Sequence, residues 1–263
     1  MKKILFITMA CCALQATAQL IQKSGGLPLT QYDMMLLEAK NEAAKTKEEA
    51  ATAFVLKGRI KEIKKGLLYL YYTNADGIDV KDSAIIENGS FTFKGNINGP
   101  VMTWLQLKEE KENEQNTTSF FMEPALMSAI LLLNKFDEAK ITGSKTQDEY
   151  AALTNTKKII EAKYKKQLDS LETEENHERA AEIRERLAPY FNEMDQADYV
   201  FFNEHPQSFV TAYLLRFHIS DLSLDSLQMY YDGLGEKLQQ TASGKDIAKE
   251  IQQLRGGSPG SMA

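Results

Sequence analysis

Hydrophobic and polar residues alternate with a period of two through much of residues 54–143. Phe54, Leu56 and Ile60 occupy alternate positions at the start of this region, which is typical of a strand that buries one face. Short β-prone runs follow, separated by turn residues, and Asn88-Gly89 stands between two of them, which predicts a tight hairpin. Repeated short strands with regular turns favour an antiparallel sandwich or barrel, and of these we predict a β-sandwich-like domain here.

The period changes to that of a helix in residues 144–255. Leu153 and Ile160 lie on one helical stripe with Lys and Glu residues between them, which indicates an amphipathic helix. Pro189 is expected to start a new turn or a kink. Ser243, followed three positions later by an acidic residue, is expected to cap the last helix. Together the two regions predict an α+β fold.

The N-terminal segment, residues 1–18, has the pattern of a secretory signal peptide. Two lysines precede an apolar stretch over residues 4–14, and Ala16-Thr17-Ala18 supplies the small residues that a signal peptidase recognises. We predict cleavage between Ala18 and Gln19 and therefore a periplasmic protein. An N-terminal core helix or membrane anchor is one alternative. Lipid attachment at Cys11 is the other, although the small-residue box before it is poor.

The predicted cleavage removes every cysteine, because the only 2 in the sequence are Cys11 and Cys12. The mature chain could then form no disulfide and could offer no thiol nucleophile or thiolate ligand. Residues 19–53 are predicted to form a lead and a solvated helix, with a partner-binding helix as the alternative. Residues 256–263 are predicted to form a linker-like tail.

Composition and charge exclude some classes of partner. Hydrophobic residues make up 43% and charged residues 26% of the sequence, as is usual for a folded globular protein. The 31 basic and 37 acidic residues give a formal net charge of −6, which argues against nucleic-acid binding because phosphate contacts need clustered cations. The sequence has no apolar stretch of about 18 residues, so no membrane-spanning helix is predicted.

Three local matches to catalytic motifs fail on their context. Gly256-Gly257-Ser258-Pro259-Gly260 has the letters of a nucleophile elbow, but neither Asp nor His follows it. His177 begins a zinc-protease-like pattern, yet Ala181 stands where the second histidine is required. Gly244-Lys245 lacks the earlier glycine of a phosphate loop, because Gln239 occupies that position. We therefore assign no catalytic, cofactor-binding or metal-binding residue, and we expect no cofactor.

The remaining side chains with chemical potential also have structural interpretations. His177, His205 and His218 show no ligand-like spacing and are expected to be structural. The acidic cluster at residues 172–175 is expected to be a charged helix surface. Four aromatic residues of the β region could line a ligand groove, but the favoured interpretation places them in the core. They are Tyr69, Tyr71, Tyr72 and Trp104.

A series of short motifs resembles one known family of domains. In chain order the motifs are Phe54-Val55-Leu56-Lys57-Gly58, Tyr69-Leu70-Tyr71, Asp82-Ser83-Ala84, Asn88-Gly89-Ser90-Phe91-Thr92-Phe93-Lys94-Gly95, Pro100, Phe120-Phe121-Met122-Glu123-Pro124, Ile141-Thr142-Gly143-Ser144 and His205-Pro206-Gln207-Ser208-Phe209. Their order over residues 54–256 resembles the N-terminal domain of unknown function that precedes a thioredoxin-like domain in exported thiol-disulfide oxidoreductases of Gram-negative bacteria. Ala125 stands where that family usually has Gly after the Glu-Pro pair.

The resemblance implies the domain without its oxidoreductase activity. That activity needs a Trp-Cys-x-x-Cys motif with a reactive thiolate, and this sequence contains none. Gly257-Ser258-Pro259-Gly260 resembles the linker that leads into the thioredoxin-like domain of the family. The sequence is therefore expected to be either a free-standing module or a truncated form.

Three functions follow as hypotheses. The favoured one is an exported, non-catalytic accessory or binding module that acts beside a thioredoxin-like envelope partner. The first alternative is a periplasmic binding module for a small or extended envelope ligand, with the strands around residues 69–72 and Trp104 forming its groove. The second alternative is a hydrolase built on carboxylates.

Overall fold

The computed structural model describes residues 51–108 and 113–256. The predicted signal peptide at 1–18, almost all of the segment 19–53 and residues 257–263 of the predicted tail lie outside the described residues.

Within the described residues, eight strands form a single, mostly antiparallel sheet that curls into a near-barrel. The strands are β1 (Ala53–Lys61), β2 (Lys65–Thr73), β3 (Asp79–Glu87), β4 (Ser90–Asn96), β5 (Val101–Leu107), β6 (Thr117–Met122), β7 (Leu126–Leu132) and β8 (Lys140–Thr142). Their order across the sheet is β6-β5-β2-β3-β4-β1-β7-β8. The first strand therefore lies inside the sheet, where it pairs antiparallel with β4 and parallel with β7.

The predicted hairpin at Asn88-Gly89 is confirmed between β3 and β4. Both residues have a positive φ, 51° for Asn88 and 79° for Gly89. Asn and Gly tolerate this left-handed conformation better than other residues, which is why the pair directs the chain back on itself.

Seven α-helices follow the sheet in the described part of the chain. They are α1 (Lys145–Thr173), α2 (His177–Arg186), α3 (Ala188–Glu204), α4 (Phe209–Leu215), α5 (Leu224–Gly233), α6 (Gly235–Gln239) and α7 (Ala242–Gly256). Pro189 lies in the first turn of α3, as predicted, where its missing N–H leaves no hydrogen bond unmade. None of these helices combines the length and the apolar character that a membrane span requires.

The prediction that Ser243 caps the last helix is wrong. The helix α7 begins earlier, at Ala242, and the Thr241 hydroxyl accepts a hydrogen bond from the Gly244 N–H at 3.2 Å. Thr241 supplies the same chemistry from two positions upstream, because either hydroxyl can satisfy a free N–H in the first turn.

The described residues contain two hydrophobic cores that share the sheet between them. Side chains such as Phe54, Leu56 and Phe120 fill the concave interior of the sheet. The second core lies among the helices and includes Met102 and Phe121 from the opposite face of β5 and β6. The α+β prediction is confirmed. The sheet comes first in the chain, and the helices that follow pack on its outer surface.

Two hydrogen bonds connect the start of α1 to the edge strand β6. The Gln147 side-chain oxygen accepts from the backbone N–H of Phe121 at 2.8 Å, and the Glu123 carboxylate accepts from the N–H of Thr146 at 2.9 Å. Each bond satisfies a backbone N–H group that has no acceptor within its own strand pair or helix. The first turn of α1 is therefore fixed to the sheet, and this orients the groove described below.

Candidate functional site

The four aromatic residues singled out in the sequence lie on two different faces of the sheet. Tyr72 is 8% exposed, and its ring centroid lies 5.2 Å from that of Phe54 in the interior. Tyr69 and Tyr71 lie half-buried on the outer face, opposite Gln106 and Trp104 in the β2–β5 register. The core interpretation is therefore correct for Tyr72 and wrong for the other three, because neighbouring residues of a strand point to opposite faces.

The outer face carries an aromatic strip, which we define as Tyr69, Tyr71 and Trp104. Trp104 is 44% exposed, and the Tyr71 hydroxyl donates a hydrogen bond to the Gln106 side-chain oxygen at 3.1 Å. The Lys81 ammonium lies 4.0 Å from the centroid of the Tyr69 ring, a cation–π distance. A cleft of about 380 Å³ opens beside Trp104. The strip offers flat apolar surface next to hydrogen-bonding groups.

Tyr72 lies on the inner face of the sheet, among the side chains of the first core. Burial, and then the negative charge of Asp82, raise the pKa of the Tyr72 phenol above its ordinary value. The neutral phenol is thus stabilised relative to the phenolate, as expected for a side chain in the core.

The three histidines occupy unrelated places. His177 is exposed at the first position of α2, and His205 is exposed immediately after α3, with its ring centroid 4.6 Å from that of Phe201. His218 is buried between α4 and α5. Within the described residues, no group of three or more His, Cys, Asp or Glu side chains could hold a metal ion.

His218 belongs to a buried polar cluster that the sequence does not reveal. Its Nε2 lies 3.0 Å from Oδ2 of Asp198, and the Lys157 ammonium donates to the same oxygen at 2.7 Å. The Tyr199 ring lies against the imidazole, with centroids 5.1 Å apart. Asp198 Oδ1 and His218 Nδ1 are buried without a hydrogen-bond partner in the described part of the protein. The cluster joins α1, α3 and the segment after α4.

A solvent-open groove of about 630 Å³ lies between α1 and α3, which run antiparallel. Its floor is apolar and includes Leu153, Val200 and Phe201. Val200 is 52% exposed, although a valine at a helix–helix interface is usually covered. We call this feature the α1–α3 groove. Lys157, Asp198 and His218, which form the buried polar cluster, do not line it.

The rim of the α1–α3 groove is acidic. The carboxylates of Asp148, Glu149, Glu193 and Glu204 line it, and among the described residues Lys145 is the only Lys or Arg in the lining. Hydrogen bonds from Lys163 and from the Tyr164 hydroxyl lower the pKa of Glu193 below its ordinary value, so this carboxylate is ionised at neutral pH. The groove combines an apolar floor with a negative border.

A second cavity of about 570 Å³ lies where the helices meet the sheet, and Ser208 and Glu149 line it. The Ser208 hydroxyl donates to the Glu149 carboxylate at 2.6 Å and accepts from the Val210 N–H at 3.1 Å. The hydroxyl is therefore engaged as the N-cap of α4. This explains the His205-to-Phe209 motif structurally: the Pro ends one helix and the Ser begins the next.

Comparison with known families places one match on this architecture. Residues 54–150 match the family model described as "Domain of unknown function (DUF4369)". The matched segment contains nearly all of the sheet and the first turns of α1, whereas the motif resemblance extends to residue 256. No curated protein matches the chain.

Proposed function

We propose that the chain is an exported, non-catalytic accessory or binding module related to the N-terminal part of envelope thiol-disulfide interchange proteins. In this proposal it docks a thioredoxin-like protein partner through the α1–α3 groove. The redox chemistry belongs to the partner, because Cys11 and Cys12 are the only cysteines and both precede the predicted cleavage site.

The groove itself is the observation that supports binding. Val200 and Ala152 are exposed on a floor whose other apolar side chains are buried or half-buried, and the groove is open to solvent. An exposed apolar surface bordered by charged residues is a common feature of protein interaction sites. The partner class rests on the motif resemblance of residues 54–256.

The test measures binding of the exported chain to a purified thioredoxin-like envelope protein of its host by titration calorimetry. We expect Val200→Glu to raise the Kd by at least about tenfold, because docking would bury an unpaired charge. Ile159→Glu is the matched control. Ile159 is 74% exposed on α1 but does not line the groove, so this variant should bind like the wild type.

Two results contradict the proposal. Absence of any binding to the thioredoxin-like protein rejects the accessory role. Binding that Val200→Glu and Ile159→Glu weaken equally rejects the groove as the docking site. Far-ultraviolet circular dichroism of both variants confirms that each remains folded, as expected for substitutions at exposed positions.

The aromatic strip supports a second candidate function, a binding module for a small or extended envelope ligand. Trp104 is the only tryptophan in the sequence, so its fluorescence reports directly on the outer face of the sheet. A ligand on the strip should change that emission and raise the Tm of the isolated chain. A screen of envelope saccharides and peptides tests this, with Trp104→Phe as the variant that retains an aromatic ring but removes the signal.

A further inference from the structure

We infer that the occupant of the α1–α3 groove is a cationic amphipathic helix of the partner, about four turns long. This inference rests on the proposed function, because it names the part of the partner that docks. It follows from the shape of the groove, from the charge of its rim and from the uneven distribution of that charge.

The shape of the groove fits a helix. Among the described residues its lining comes from α1, from α3 and from His205, and this lining offers no strand edge to hydrogen-bond an extended peptide. Side-chain ridges on two antiparallel helices accept the ridges of a third. The lined part of α1 runs from Lys145 to Ile160, which corresponds to about 22 Å at 1.5 Å per residue. A helix of about four turns has that length.

The charge of the rim selects a cation. The single lining ammonium, that of Lys145, is already paired with Glu149 at 3.2 Å. Asp148 and Glu204 form no salt bridge with any residue in the described part of the protein, and both are exposed. Lys or Arg residues flanking the apolar face of an incoming helix would pair with these carboxylates, whereas Glu or Asp residues would be repelled.

The two ends of the groove differ in charge. At the end near Ile160, Glu193 is already paired with Lys163 and hydrogen-bonded to Tyr164. At the opposite end, Asp148 and Glu204 lie near the start of α1 and the end of α3. The positive charges of the occupant are therefore needed mainly beside Asp148 and Glu204, and apolar residues suffice at the other end.

The test uses synthetic helices as probes of the full exported chain. The first probe is a fluorescein-labelled peptide of about 14 residues, with leucines at i, i+3, i+4 and i+7 and lysines on both flanks. A second peptide replaces each lysine by glutamate, and a third scrambles the first so that its apolar face is lost. We expect fluorescence anisotropy to show binding of the lysine peptide at least about tenfold tighter than that of either control peptide. Its affinity should fall as salt is raised.

Protein variants locate the binding. The isosteric pair Asp148→Asn with Glu204→Gln should weaken the lysine peptide by about tenfold and should not weaken the glutamate peptide. Val200→Glu, which places a charge on the apolar floor of the groove, should weaken binding of the lysine peptide. Ile159→Glu should leave this binding unchanged. Equal affinity for lysine and glutamate peptides, binding to neither, or insensitivity to the isosteric pair would overturn the inference.

The outcomes separate this inference from the proposed function. If the lysine peptide binds as expected but the thioredoxin-like protein does not, the groove chemistry stands and the partner class is wrong. If that protein binds in a Val200-dependent manner but the lysine peptide fails, the groove remains the docking site and the cationic helix is rejected.

Discussion

Asp198 and His218 form a buried pair in which Nε2 of the imidazole lies 3.0 Å from Oδ2 of the carboxylate. The same oxygen accepts from Lys157 at 2.7 Å, so one atom fixes three elements of the helical region. Burying a charged group is costly unless its partners remain in place. The pair is therefore a point at which small chemical changes should have large effects on stability.

Asp198→Ala should lower the free energy of unfolding by about 3 kcal/mol, because it leaves Lys157 and His218 without their shared acceptor. Urea denaturation followed by circular dichroism measures this. His177→Ala is the control, since His177 is exposed at the start of α2 and its removal should change little. A similar loss of unfolding free energy in both variants would show that the buried cluster contributes no more to stability than an exposed side chain does.

Gly244→Ala should destabilise the protein by about 2 kcal/mol through overpacking. A Cβ at this position would lie 2.2 Å from the Leu238 carbonyl oxygen and 2.6 Å from the Gln239 Cα, and neither backbone atom can move alone. Gly256→Ala, at the other end of α7, is the matched control. Its Cβ would meet nothing within 4 Å, so stability should stay the same or rise slightly. In thermal melts, Gly244→Ala should lower the Tm, whereas Gly256→Ala should leave the Tm unchanged or raise it slightly.

Alkaline pH should destabilise the protein partly through Tyr72. Burial raises the pKa of this phenol in the folded state, so above about pH 10 the unfolded chain releases the proton that the folded chain retains. The stability that the protonated Tyr72 phenol contributes to the folded state is complete below the ordinary pKa of tyrosine. It is lost as the pH rises through the raised pKa of the folded state. Tyr72→Phe should therefore show a shallower loss of unfolding free energy between about pH 9 and pH 11. Identical slopes for the variant and the wild type would contradict this account.

A fragment limited to the matched residues 54–150 should not be stable alone. Met102 and Phe121 point away from the interior of the sheet and pack among the helices, so this fragment would expose them. We expect it to bind a hydrophobic dye and to associate in size-exclusion chromatography, whereas residues 51–256 should remain monodisperse. A monomeric, dye-silent fragment would show that the sheet is self-sufficient.

Processing at the predicted signal peptide has a direct readout. Expression in a Gram-negative host should yield a periplasmic product that begins at Gln19, as measured by intact mass and N-terminal sequencing. Ala18→Arg should block cleavage and leave a heavier, membrane-retained precursor. A cytoplasmic product that still begins at Met1 would remove the basis for an exported role.

The sheet was largely predictable from sequence because most of its strands bury only one face. Phe54 and Leu56 alternate with more exposed neighbours, so the pattern shows both the strand and its inner side. Phe120-Phe121-Met122 is buried throughout, since β6 lies between the two cores. In such a run the period is lost, and the sequence could not show that Phe121 would join the helical core.

The candidate site was less predictable, because it depends on contacts between distant residues. Lys157, Asp198 and His218 come together only when α1, α3 and the segment after α4 pack against one another. The exposure of Val200 likewise depends on how far apart those helices lie. A hydrophobic stripe predicts that a helix face will be buried, but it does not reveal which apolar residues of that face, such as Val200, remain exposed.

The position of β1 inside the sheet predicts an order of events during folding. Leu56 pairs in parallel with Met127, about 70 residues later in the chain, while its other neighbour, β4, arrives much sooner. Until residues 126–132 take their place, β1 has one unpaired edge, and such an edge can recruit a second molecule. Because long-range pairing closes slowly, we expect the arrival of β7 to be the step at which productive folding competes with aggregation.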